Sequence, residues 1–164
     1  MAVYENEQDR KNQREVMNDL LVWFQRLPAV GSNGQGFTSR EIPTVEGESS
    51  PDFQLWWNHL CVGVIEIKCF TKCHEMWLID RPKLEMLFKN YQNAGIPALL
   101  CFAHVVDGLP DTIEIADMRD LIENKDKWKD APEEWMATQD HKTKKRDHPF
   151  KGYLLPRDLF WSVS

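Results

Sequence analysis

The chain has 164 residues, a formal net charge of −6, 42% hydrophobic and 28% charged residues, which are the proportions of an ordinary soluble globular protein. No apolar run is long enough to span a bilayer, and the polar start from Met1 to Asn12 does not read as a secretory signal, so an intracellular protein is expected. The negative balance argues against a protein that merely coats nucleic acid, yet it leaves room for a site that concentrates carboxylates and uses local basic patches.

From Glu5 to Leu27 the residues Val16, Leu20, Trp23, Phe24 and Leu27 recur at helical spacing, and Pro28 with the glycines of 31–36 ends that helix. Two short strands are expected at Phe37 to Val45 and Asp52 to Trp57, separated by the turn EGESSP. The run LCVGVIEIKCF, Leu60 to Phe70, has the length and β-branched content of a buried strand. A connecting stretch with Trp77 and Leu78 leads to a helix over Arg81 to Asn93, with Pro82 in its first turn and Gly95 as its cap. Ile96 to Val106 is a second buried strand. The strand–helix–strand order from Leu60 to Val106 implies a parallel crossover within a mixed sheet.

Thr112 to Ile115 is expected as an edge strand followed by a short helix through Leu121. Residues 124 to 149 read as a long charged loop that includes Lys142, Lys144, Lys145 and Arg146, and GYLLPRDLFWSV as a strand with a helical turn. That basic cluster suits either a phosphate-binding loop or a solvated one. No repeat or linker divides the chain. A single domain over 1–164 is expected, with a core over about 5–106 and an elaboration over 107–164.

Four cysteines, at 61, 69, 73 and 101, are expected as thiols in an intracellular chain. Cys69, Cys73 and His74 could supply zinc ligands, although the spacing is not that of a zinc finger. Cys61 and Cys101 stand in apolar strands, where cysteine acts as a small hydrophobe.

Chemistry concentrates on Asp52, Glu66 and Lys68. Strand alternation puts Glu66 and Lys68 on one sheet face with Val62 and Val64, while Ile65 and Ile67 point to the other. Charges in a buried apolar strand are costly unless paired or bound to a metal. Magnesium takes hard oxygen ligands, commonly two carboxylates with water and substrate oxygens, and Asp52 and Glu66 offer such a pair. A Glu-x-Lys triplet alone carries no weight. Its place in an apolar strand, after Pro51-Asp52 and before a helix and a buried strand, gives it weight.

PDFQLWW…VGVIEIKCF resembles the core of the PD-(D/E)XK nuclease superfamily, and the order of elements over 5–106 is similar to the αβββαβ core of that restriction-endonuclease-like fold. The resemblance implies an α/β fold with a mixed central sheet flanked by helices, and a Mg2+ site, with Mn2+ able to substitute, held by Asp52, Glu66 and the backbone carbonyl of Ile67. Lys68 would then orient or activate the attacking water and stabilise charge on the phosphate. Relatives often add an acid from the first helix. Glu15 should face solvent, whereas Asp9 and Gln13 lie along the apolar stripe of that helix; Asp9 is the better candidate for the acid on geometry, the alternative being that Gln13 occupies the family position and the acid is absent. Arg81, Lys83 and Lys89 are available for substrate backbone contacts or for a solvated helix face.

The implied activity is cleavage of phosphodiester bonds in DNA, with branched or single-stranded structure favoured over a long sequence as target. Small relatives often act as homodimers. An RNA-cleaving or exonucleolytic enzyme of the same fold is the first alternative, and a catalytically silent nucleic-acid or protein-binding module the second. Trp56 and Trp57 are neighbours on a strand and must point to opposite sides; one of them could line a cleft or an interface, with core packing the plainer reading.

Overall fold

In the computed structural model, residues 7–26, 36–43, 50–132 and 151–163 are described. Helix α1 spans Glu7–Arg26. Strands β1 (Phe37–Glu41), β2 (Phe53–Trp57) and β3 (Leu60–Phe70) follow as an antiparallel meander. After β4 (Met76–Asp80) and helix α2 (Arg81–Ala94), strand β5 (Ala98–Val106) returns parallel to β3, with Glu66 beside Leu100 and Lys68 beside Phe102. Strand β6 (Leu109–Asp117) pairs antiparallel with β5, α3 (Met118–Glu123) follows, and β9 (Trp161–Val163) closes the sheet in the order β1-β2-β3-β5-β6-β9. This is a mixed α/β fold whose six-stranded central sheet is flanked by helices, in the order expected for a restriction-endonuclease-like core.

Alternation along the strands divides the interior into two cores. On one face α1 lays Val16, Met17, Leu20 and Phe24 over Phe53, Leu55, Ile65, Ile67, Cys101 and Ile115. On the other, Leu84 and Leu87 of α2 and Met118 and Leu121 of α3 pack with Val64, Leu100, Phe102 and Ala116. Arg10 and Arg14 of α1 both reach Glu41 at the end of β1, tying the helix to that edge. The Cys101 thiol is fully buried, and loss of hydration pushes its pKa well above the ordinary value, so it stays protonated and inert.

Several expectations are corrected. The stretch with Trp77 and Leu78 is a strand, β4. It belongs to a second, three-stranded sheet ordered β4-β8-β7, with β7 at Lys129–Asp130 and β8 at Gly152–Pro156. The segment expected as a short edge strand at 112–115 is the nine-residue β6, and β9 lies outside it. Val62 does not share the face of Val64. Leu55 pairs with Gly63 but Trp56 with Cys61, which leaves Val62 as the extra residue of a bulge, packed against the α1 core. The basic cluster at Lys142, Lys144, Lys145 and Arg146, the glycines of 31–35 and the end of the first expected strand at Val45 lie outside the described residues.

Helix α2 ends as its sequence signals require, on Gly95 at φ 64°, with open space where a Cβ would stand. Gly95→Ala therefore costs only the left-handed backbone conformation, about 1 kcal/mol. A melting temperature lowered by about 2–4 °C is expected in a thermal scan.

Candidate active site

Asp52 is set at the mouth of β2 by backbone bonds on both sides. Its N–H donates to Ile65 O at 3.0 Å, and its carbonyl accepts from Ile42 N–H at 2.8 Å. Phe53↔Ile65 is the last pair of the β2–β3 register, and the Asp52 N–H turns to that same Ile65 residue rather than continuing the register to Glu66. The Asp52 carboxylate accepts the Ile67 N–H at 2.8 Å. That bond carries the pairing past the end of β2, where Pro51 has no N–H to give. Asp52 is 6% exposed and Glu66 0%, so both carboxylates are inside the protein, one just ahead of β2 and the other within β3.

Two ammonium groups offset this charge. Lys68 Nζ lies 3.9 Å from Glu66 Oε2, and Lys83 Nζ, from the first turn of α2, lies 3.7 Å from the same oxygen. The lysine side chains are 29% and 26% exposed, so their stems run inward along the apolar face while their heads stay within reach of water. Lys83 was only one of three cations on its helix by sequence. Of those, Arg81 pairs with Glu85 on the helix surface and Lys89 is exposed.

The carbonyl of Ile67 faces Gln13, whose Nε2 makes a long contact at 3.5 Å. Gln13 is 5% exposed, buried at the point of α1 that meets the motif strand, whereas Asp9 is exposed one turn earlier. The residue that α1 presents to Ile67 is thus the amide of Gln13, in keeping with the alternative in which no acid stands at that point. Glu15 is half-buried rather than fully solvated.

The donor set fits a hard divalent cation. Asp52, Glu66 and the Ile67 carbonyl offer only oxygens, the kind magnesium takes, and the burial of both carboxylates gives a cation a strong electrostatic reason to enter. Among the described residues no group of three or more His, Cys, Asp or Glu side chains gathers in the manner of an all-side-chain cage. Cys69, Cys73 and His74 do not converge as a zinc set: the Cys73 sulfur takes a contact from Arg157 Nη1 at 3.7 Å, and the His74 ring stands edge-on to Phe70.

Across the sheet from Lys68 lies a third buried carboxylate that sequence reasoning missed. Glu114 of β6 sits in register with Phe102 and hence with Lys68. It accepts Trp77 Nε1–H at 3.1 Å and is gripped by the Arg157 guanidinium, with Nε at 3.0 Å from Oε2. Arg157 also donates to His74 O at 3.0 Å and lies over the Trp77 ring, which stacks on Phe102 at 4.9 Å. Hydrogen bonding to Glu114 raises the guanidinium pKa, with burial opposing. This cluster docks the small sheet onto the large one.

The chain matches no family model and no curated protein. Among solved structures it is similar to Hjc, a Holliday junction resolvase from the archaeal hyperthermophile Archaeoglobus fulgidus. The two are 13% identical over 87% of this chain and 85% of that one, with a TM-score of 0.46. At this identity and score the likeness assigns no residue and no activity to the present chain.

Proposed function

We propose that the protein is a divalent-metal-dependent nuclease that hydrolyses phosphodiester bonds of DNA, acting within the strand and selecting branched or single-stranded structure over sequence. The observation that carries this reading is the fully buried Glu66 carboxylate with two ammonium groups within 4 Å of it, and a second buried carboxylate, Asp52, bonded to the neighbouring Ile67 N–H. A site built for packing alone would rarely keep so many charges in one apolar layer.

In this reading Asp52, Glu66 and the Ile67 carbonyl would hold magnesium, or manganese in its place, which would supply Lewis-acid charge at the scissile phosphate. Hydrolysis forms a bond from water oxygen to phosphorus, breaks one ester P–O bond, and ends with a proton on the departing oxygen. Lys68 reaches out of the strand beside Glu66, where its ammonium can orient the attacking water and stabilise charge on the phosphate. Lys83 offsets the charge of Glu66 from the helix side, and Gln13 steadies the Ile67 carbonyl. The described residues are engaged in the two sheets and their helices, which leaves few to read base edges and favours DNA shape as the target.

The competing reading is a structural ion cluster, since Lys68 and Lys83 already balance Asp52 and Glu66 in charge. Incubation with labelled linear, circular and branched DNA, and with RNA, separates the two. Cleavage of DNA with Mg2+ or Mn2+, stopped by EDTA, is expected. No cleavage of any substrate with either ion would leave only the structural cluster.

A further inference from the structure

We infer that the exposed face of β1 and β2 beside Asp52 is a binding platform for unpaired DNA, with Arg40 and Trp56 as its stacking pair. The inference rests on the nuclease reading for its occupant and on the following geometry for its place. Phe37, Phe53 and Leu55 point into the α1 core, so the alternate residues Gln54 and Trp56 stand on the opposite face, the one that carries Val64 and Glu66. Arg40 pairs across from Gln54 in the β1–β2 register. Its guanidinium carbon lies 3.8 Å from the centroid of the Trp56 ring, and Trp56 Nε1–H donates to Gln54 Oε1 at 3.0 Å.

The pair is therefore oriented and accessible at once. Gln54 holds the indole by its N–H, and the guanidinium rests over the indole ring. Helix α2 packs over β5 and against β4 and α3, leaving Arg40 exposed and Gln54 and Trp56 half-exposed. Among the described residues Arg40 forms no ion pair, so its charge is not spent within the fold. A planar cation lying on tryptophan presents its outer face to a nucleobase and its N–H groups to phosphate. Stacking of this kind accepts any base but requires that the base be unpaired. Trp56 is four strand residues from Asp52, about 13 Å along β2. A strand held there can run on to the carboxylates, so the platform would bind a few nucleotides from the phosphate that is cut.

The test is fluorescence anisotropy with the full chain in calcium, using a labelled oligothymidine, a forked duplex and a blunt duplex of equal length. Arg40→Gln and Trp56→Ala are each expected to weaken the first two by about fivefold or more while leaving the blunt duplex within about twofold. Trp56→Phe, which keeps a ring, should recover most of the loss and guards against misfolding of the alanine variant. Equal weakening of all three DNAs, or no weakening of any, overturns the platform. The two readings fail separately: DNA bound through Trp56 but never cut with magnesium removes the nuclease, and DNA that is cut yet bound alike by wild type and variants removes the platform.

Discussion

Glu66→Gln is expected to lose DNA cleavage by about 10²- to 10⁴-fold while its melting temperature holds or rises. The two halves of that result have one cause. Glu66 is fully buried, and keeping a carboxylate there costs hydration that two half-exposed lysines offset only in part. Glutamine fills the same volume without the charge. Lys68 and Lys83, at 29% and 26% exposure, can turn their heads to water rather than remain stranded. Asp52→Asn should lose cleavage to a similar degree, but with some loss of stability, because its carboxylate holds the Ile67 N–H at 2.8 Å. Single-turnover cleavage and thermal denaturation on the same samples check both. Cleavage that survives in both variants sinks the mechanism, and a large fall in melting temperature for Glu66→Gln would show that the carboxylate serves the fold.

The Glu114 cluster predicts the opposite pattern. Arg157→Leu leaves Glu114, 8% exposed, with the Trp77 N–H but without its counter-ion. Breaking one side of a buried ion pair costs about 3–5 kcal/mol, and 31% exposure of the Arg157 side chain argues for the lower end. For a chain of this length the melting temperature should fall by roughly 6–12 °C. Removing both charges, as in Glu114→Leu with Arg157→Leu, is expected to recover much of the loss, because no charge is then left buried alone. A double variant no more stable than Arg157→Leu would mean that the contacts of Arg157 with His74 and Trp77, rather than its charge, hold the small sheet in place.

What could be read from sequence follows the range of each physical signal. The motif strand over Leu60–Phe70 was legible to its ends because its apolar, β-branched run is local, and α2 because Pro82 and Gly95 punctuate it. Strand β4 was not, since its partner β8 lies more than seventy residues later and nothing in MWLID announces that pairing. Strand β6 runs past the expected segment at both ends, because Pro110 at its start and Ala116 and Asp117 at its close are held by pairing with β5 that no local signal announces. In the candidate site, period-two alternation placed Glu66 and Lys68 together. Lys83 and Gln13 come from two helices on opposite sides of the sheet, and only folding brings them near Glu66 and Ile67. Helix phase put both Asp9 and Gln13 on the apolar stripe; the depth at which α1 crosses the sheet brings Gln13 to the Ile67 carbonyl.

The bulge at Val62 bears on how this gene can change length. Beyond it, toward Leu60, the β2–β3 hairpin has already absorbed one unmatched residue, so an added or lost codon there meets a strand whose pairing can slip. Between Gly63 and Lys68 no such slack exists. One inserted codon would turn Glu66 into the α1 core and bring an isoleucine to face Lys83, exchanging the carboxylate and the oil in a single step. Descendants of this chain can thus vary freely in the length of one hairpin tip while the six residues after it are held to an even count.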